Sequence, residues 1–165
     1  MIEKLHHNAY RCRDSEETRK FYEEFLGLPL VESLEINETK SGRKTRTLHT
    51  FYRLDDGSHL AFFEAPDMPF EFKAQHDYDL HIALEVRAEV LPTMLAKGKA
   101  QGIDTRGVSD HQFIHSIYFR DPNGYVIELC AKLPGHDRAL DPGLNGARAK
   151  LERWTRAKIA APVTR

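Results

Sequence analysis

The sequence predicts an α+β fold built from two similar halves that share one core. Three observations carry this. Strand-like and helix-like patterns succeed one another as β-α-β-β-β over residues 4–66. The same order restarts near residue 79, after a polar connector. Landmarks of the two halves also recur at nearly fixed offsets, the signature of two supersecondary units stacked on each other.

Each element has a local reason. Residues 4–12 alternate as a strand does. "RDSEETRKFYEEFLG" opens on the cap candidates Asp14 and Ser15, with Glu17 three residues after Asp14 and acidic residues in the first turn. Phe21, Phe25 and Leu26 form an apolar helical face, Gly27 suits the left-handed stop, and Pro29 forbids continuation. "LPLVESLEI" reads as a strand, "NETKSGRK" as a loop, "TRTLHTFYRL" as a second strand, "DDGS" as a turn and "HLAFFEA" as a third strand. "PDMPFEFKAQHDYD" is the connector and is placed to cover a site. In the second half "LHIALEVR" is a strand and "EVLPTMLAKGKAQGI" a helix ending at Gly102. "HSIYFR", the turn "DPNG" and "YVIELCAK" close the half.

The first half spans about 4–66 and the second about 79–132, so residues 1–132 form the domain. His7 falls on His81 at an offset of 74, Gly27 on Gly102 at 75, and Glu64 on Glu128 at 64. The last match leaves a discrepancy, since Gly57 precedes Glu64 by 7 residues and Gly124 precedes Glu128 by 4. Residues 133–165 read as a linker and a C-terminal amphipathic helix. Leu144, Ala147, Leu151 and Trp154 share one face opposite Arg148, Lys150, Arg153 and Arg156, which suits a helix packed on the domain or on a partner subunit.

Composition narrows the function classes. A chain of 165 residues can bury about 68–70% of its unfolded surface and needs no covalent staples. It is 41% hydrophobic and 30% charged, with net charge -1, so no basic excess argues for nucleic acid. No apolar run reaches the ~20 residues of a membrane span. The start "MIEKLHHNAY" has no signal-peptide core, and two cysteines, Cys12 and Cys130, make no disulfide framework; a cytoplasmic location is expected. No G-x-G-x-x-G or P-loop is present. Cys130 reads as a small buried hydrophobe.

The histidines carry the chemistry. Alternation puts His7, Ala9 and Arg11 on one side of the first strand and turns His6 away. His81, Ala83 and Glu85 share a side of the repeat strand. Leu60, Phe62 and Glu64 share one side of their strand, and Val126, Glu128 and Cys130 one side of theirs. If equivalent faces meet across a pseudo-twofold axis, His7, His81, Glu64 and Glu128 converge. Two imidazoles with a carboxylate suit a first-row divalent metal, and a fourth protein ligand would leave fewer open positions. Arg11, Phe62 and His49 are then expected to line the substrate cavity.

On these residues the chain resembles the vicinal oxygen chelate superfamily, which includes glyoxalase I, fosfomycin and bleomycin resistance proteins and extradiol dioxygenases. The resemblance covers about residues 4–132. It implies two βαβββ modules forming a cup-shaped mixed sheet, a half-barrel, with the metal inside. It implies His7 in "KLHHNAYRC", His81 in "DLHIALEV" and Glu128 in "DPNGYVIEL" as metal ligands. "SDHQFIHSIYFRDPNGYVIE" further resembles the extradiol motif, supplying His111, Tyr118, Asp121, Pro122, Gly124 and Glu128, with Ser109 departing from it. In that branch the matching His and Tyr contact substrate and assist proton transfer, so His111 and Tyr118 are the expected catalytic pair.

The glyoxalase branch resembles a His-Glu-His-Glu set, in which Glu64 is the candidate fourth ligand. The expectation is therefore a metal-dependent enzyme of extradiol type, with glyoxalase-type isomerase or lyase next and a metal-free bleomycin-resistance-type binding protein as the third alternative. The implied cofactor is Fe(II) or Mn(II), or Ni(II), Zn(II) or Co(II) if the protein is glyoxalase-like. The implied partners are a small molecule with vicinal oxygens and a second copy of the chain in a homodimer, with no nucleic acid and no membrane.

Overall fold

The computed structural model describes residues 1–72 and 76–160. The strands are β1 (His7–Arg11), β2 (Leu30–Glu38), β3 (Lys44–Arg53), β4 (His59–Glu64), β5 (His81–Glu85), β6 (Thr105–Asp110), β7 (Ile114–Arg120) and β8 (Val126–Lys132). The helices are α1 (Ser15–Arg19), continued by a π-helical turn (Lys20–Phe25), α2 (Val90–Ala100), α3 (His136–Leu140) and α4 (Ala147–Ala160). They form two open four-stranded sheets, ordered β1-β4-β3-β2 and β5-β8-β7-β6. In each, the first strand pairs parallel with the last and the rest pair antiparallel. The α+β repeat is therefore present as two modules of one topology.

Local signals set the element ends. Asp14 Oδ1 accepts the Glu17 backbone N–H at 2.8 Å and caps α1. Arg19 grips Glu16, Glu23 and Glu24 on the outer face. The chain leaves the π-helical turn through Gly27 at φ +84°, a conformation costly for any other residue. Gly98 in α2 has a different reason. A Cβ there would stand 2.6 Å from the Phe119 ring, so glycine lets α2 lie close on β7.

One core joins both modules. Phe21, Tyr22, Phe25, Tyr52, Leu60 and Phe62 from the first meet Ile82, Leu84, Ile117, Phe119, Ile127 and Leu129 from the second. Burying each such side chain fully contributes about 1.5–3 kcal/mol. Phe25 meets Phe119 edge-on at 5.1 Å between centroids. A polar seam fixes the relative placement. Tyr22 donates to Asp121 Oδ2 at 3.0 Å, the Arg13 N–H donates to Asn123 Oδ1 at 2.8 Å, and Tyr125 donates to the Arg11 carbonyl at 2.9 Å. The "DPNG" turn is thus more than a hairpin turn. Its Asp121 and Asn123 are buried and anchor the helix of the other module. Burial pushes the Asp121 carboxyl above its usual range, although donated hydrogen bonds oppose the shift.

Two expectations change. β6, "TRGVSD", carried no strand signal in the sequence, being polar, glycine-containing and largely exposed. Pairing with β7 makes it a strand. The C-terminal stripe does not pack on its own domain. Leu144, Leu151 and Trp154 are 62%, 64% and 68% exposed, and the short α3 precedes α4. Part of the connector (73–75) and the end of the tail (161–165) lie outside the described residues.

Candidate metal centre

Parallel pairing of β5 with β8 sets His81 beside Val126 and Ala83 beside Glu128. Paired residues share a face, so His81 and Glu128 stand diagonally on one side of the sheet. His81 Nε2 lies 3.2 Å from Glu128 Oε2. The other ring nitrogen, Nδ1, donates to the Asp77 carbonyl at 3.2 Å, so Nε2 is the nitrogen turned towards Glu128 and towards any ligand. Glu128 is 5% exposed. Its Oε1 accepts from Ser116 Oγ at 2.5 Å and from Tyr118 at 3.4 Å. Oε2 is the oxygen presented to His81.

Tyr118 pairs with Glu128 across β7–β8. Its hydroxyl lies 2.7 Å from His111 Nε2. Burial, and then the Glu128 charge, push this phenol above its usual range, so it remains a proton donor at neutral pH. The Arg106 guanidinium sits 5.3 Å from the centroid of the Tyr118 ring. These groups surround a cavity of about 770 Å³, and all the residues lining it come from His76 to Glu128. The second module thus brings together four of the residues expected from the sequence: His81, Glu128, His111 and Tyr118.

The first module presents a different face. Register places His7 beside His59, Ala9 beside Ala61 and Arg11 beside Phe63. His49 shares this face, stacked on Phe63 at 3.6 Å between centroids, and its ring lies 6.3 Å from that of His7. Phe51 lies 5.5 Å from His7. Phe62 and Glu64 point to the opposite side. Phe62 is fully buried in the core and does not line the cup. Glu64 Oε2 accepts the Ser15 backbone N–H at 2.7 Å, holding the start of α1.

The physical reason is strand register. The position opposite Ala9 corresponds to the position opposite Ala83, so Ala61, and not Glu64, is the counterpart of Glu128. Aligning the turn glycines Gly57 and Gly124 in the sequence would have given this match.

Two further expectations are corrected. His6 is not turned away, because its Nδ1 lies 2.8 Å from His7 Nδ1. Arg11 reaches the connector, donating to the Met68 carbonyl at 2.7 Å. It borders a separate cavity with Phe70, Phe72 and Tyr125.

His7 does not join His81 and Glu128 within one chain. Among the described residues no three His, Cys, Asp or Glu side chains gather closely enough to hold a metal ion. The pair that does meet fits a first-row divalent cation. It offers an imidazole with its second nitrogen tied down, and a carboxylate with one oxygen already hydrogen-bonded. Cys130 is no ligand. Burial pushes its thiol up, and it donates to the Leu84 carbonyl at 3.6 Å. Sequence reasoning missed Ser116, Arg106 and Asp77. Ser116 was within reach, since it alternates with Tyr118 on the strand beside Glu128. Arg106 and Asp77 gave no local signal.

Two βαβββ modules, each folded into an open four-stranded mixed sheet, define the fold class. The sequence profile of the Glyoxalase/Bleomycin resistance protein/Dioxygenase superfamily matches residues 4–129, and the chain belongs to that superfamily. No curated protein matches it. Solved structures share the fold. A glyoxylase/bleomycin resistance protein/dioxygenase domain from Frankia sp. EAN1pec is 17% identical, with TM-score 0.66, over 82% of this chain and 96% of that one. The fosfomycin resistance protein FosX from Listeria monocytogenes is 21% identical, with TM-score 0.64, over 82% and 98%. A variant of that FosX, complexed with Mn(II) and 1S,2S-dihydroxypropylphosphonic acid, is 20% identical, with TM-score 0.60, over 83% and 98%. Among the described residues no helix is long and apolar enough to cross a membrane.

Proposed function

We propose that this protein is a metal-dependent enzyme acting on a small substrate with two adjacent oxygens, and that its reaction is extradiol-type cleavage of a catecholic ring. The observation that carries the proposal is the hydrogen-bonded chain His111–Tyr118–Glu128 beside His81 on one concave face. His81 and Glu128 hold the metal, Fe(II) or Mn(II), and His7 of a second copy supplies the third ligand. A bound divalent ion supplies a Lewis acid and a template for two substrate oxygens.

The remaining work belongs to the protein. The His111 imidazole takes a proton from a substrate hydroxyl and returns it later. Tyr118 donates a hydrogen bond to a substrate oxygen. Ser116 holds Glu128 Oε1, so that Oε2 stays turned towards His81. The homodimer is supported by the separation of the ligands, because His7 is exposed on the first module and does not gather with His81 and Glu128 within one chain.

A second reading has support from the neighbours. The FosX variant is complexed with Mn(II) and a phosphonic acid bearing adjacent hydroxyls. A reaction yielding a vicinal diol would use the same residues. The glyoxalase-type reading loses its fourth ligand, since Glu64 is engaged on α1.

Anaerobic loading with Fe(II) or Mn(II), followed by dioxygen uptake with a panel of catechols, tests the proposal. Uptake that disappears in His111→Ala and Tyr118→Phe supports ring cleavage. Metal binding without uptake, together with diol formation from an epoxide, supports the second reading. A metal stoichiometry near zero that no divalent ion restores sinks both, and leaves a binding protein of the bleomycin-resistance type.

A further inference from the structure

We infer that Asp77 is a positioning residue that locks His81 in its metal-ligating tautomer and ties it to Tyr118. This rests on the metal-centre reading above, and it concerns a connector residue rather than a ligand.

Asp77 acts through two groups. Its backbone carbonyl accepts the His81 Nδ1–H at 3.2 Å. Its carboxylate is clamped by two arginines, Arg106 Nη2 on Oδ2 at 2.5 Å and Arg120 Nη2 on Oδ1 at 3.2 Å. Both arginines are anchored to the second sheet. Arg120 extends from β7 and donates to the Gly124 carbonyl at 2.8 Å. Arg106 extends from β6 and lies over the Tyr118 ring.

The segment carrying the carbonyl is a short surface turn. Its own bonds are Asp79 N–H to the His76 carbonyl at 2.8 Å, His76 N–H to Asp79 Oδ2 at 2.9 Å and Tyr78 N–H to His76 Nδ1 at 3.2 Å. None of the three fixes the turn against the sheet. The two arginine contacts do. The side chain of Asp77 thereby decides where its own carbonyl points, and the carbonyl competes with Glu128 Oε2, 3.2 Å from Nε2, to decide which His81 nitrogen carries the proton. An imidazole free in water favours the proton on Nε2, the wrong nitrogen for this site. The same clamp holds Arg106 over Tyr118, so one carboxylate orders the ligand and the proton donor together.

The test uses the full chain without metal, and then with Mn(II). Nitrogen-15 NMR of the histidine rings reports the His81 tautomer, and electron paramagnetic resonance of free Mn(II) reports affinity. The wild type is expected to hold the Nδ1–H form. Asp77→Ala keeps the backbone carbonyl but frees the turn. It should shift His81 towards Nε2–H and weaken Mn(II) by about tenfold or more, within the range for an outer-shell partner. Arg106→Gln breaks the clamp from the other side and should produce the same tautomer shift with a smaller loss.

An Asp77→Ala protein that keeps both the wild-type tautomer and the wild-type Mn(II) affinity, while His81→Ala loses the metal, overturns the inference and leaves the metal centre standing. If His81→Ala itself binds Mn(II) as wild type does, the metal-centre reading fails. The tautomer shift still decides the role of Asp77. Equal melting temperatures for wild type and Asp77→Ala separate positioning from loss of fold.

Discussion

Glu64→Gln distinguishes a structural carboxylate from a metal ligand. Glu64 Oε2 receives the Ser15 N–H at 2.7 Å, from the first residue of α1. A hydrogen bond to a charged group contributes about 1.5–3 kcal/mol, and a neutral one about 0.5–1.5 kcal/mol. Glutamine retains an acceptor oxygen in the same place, so the substitution costs the difference, about 1 kcal/mol. In a domain of this size that lowers the melting temperature by about 2–4 °C. Mn(II) affinity should not change, because Glu64 lies on the face opposite His7 and its register partner is Leu48. Glu128→Gln should behave in the opposite way, losing the metal. The assay is thermal unfolding of the metal-free protein beside Mn(II) titration of both variants. A Glu64→Gln protein with unchanged melting and metal affinity weakened tenfold would refute the register argument and restore a four-ligand set.

Other outcomes are expected. If the site is shared between copies, His7→Ala and His81→Ala chains are each metal-free alone. Mixed after dissociation, they should regain about a quarter of the wild-type stoichiometry, since half the dimers are hybrids and each holds one intact site. No recovery, in a mixture shown to contain hybrids, would place His7 outside the centre. Burial pushes the phenols of Tyr52 and Tyr125 up to about 12. The unfolded chain therefore loses these protons first, and the stability present below pH 10 should fall as pH climbs towards 12. Melting followed across that window should show the slope, and Tyr52→Phe should flatten it; an unchanged slope would count against the burial argument. Trp154 is the single tryptophan and is 68% exposed, so the monomer should emit as a solvated indole. Removal of residues 147–165 should leave the melting temperature within about 1 °C, because the described side chains of α4 lie at the surface, as for other surface changes. Blue-shifted emission in dilute protein would show that α4 is covered.

Much of the fold was legible because its signals are local. The cap Asp14, the stop Gly27 and the aromatic face of the first helix act within a few residues of one another, so the sequence displays them. β6 was not legible, because "TRGVSD" becomes a strand only by pairing with β7. Of the site, His81, Glu128, His111 and Tyr118 could be read together because β5, β7 and β8 pair within one module, where strand alternation fixes the faces. Glu64 was misassigned because β1 and β4 pair across about fifty residues, and a shift of one residue in register turns a side chain to the other face.

By itself the sequence determined the repeated module and the histidine at the head of each, since both are patterns along the chain. The tertiary structure decided that Ala61 stands where a second carboxylate would be needed. It also decided that the Tyr22–Asp121 and Arg13–Asn123 seam joins the modules, and that His81 and Glu128 meet without a third metal-ligating side chain among the described residues. Those outcomes depend on strand register and on how two modules pack, and such long-range contacts leave no mark on the spacing of residues along the chain.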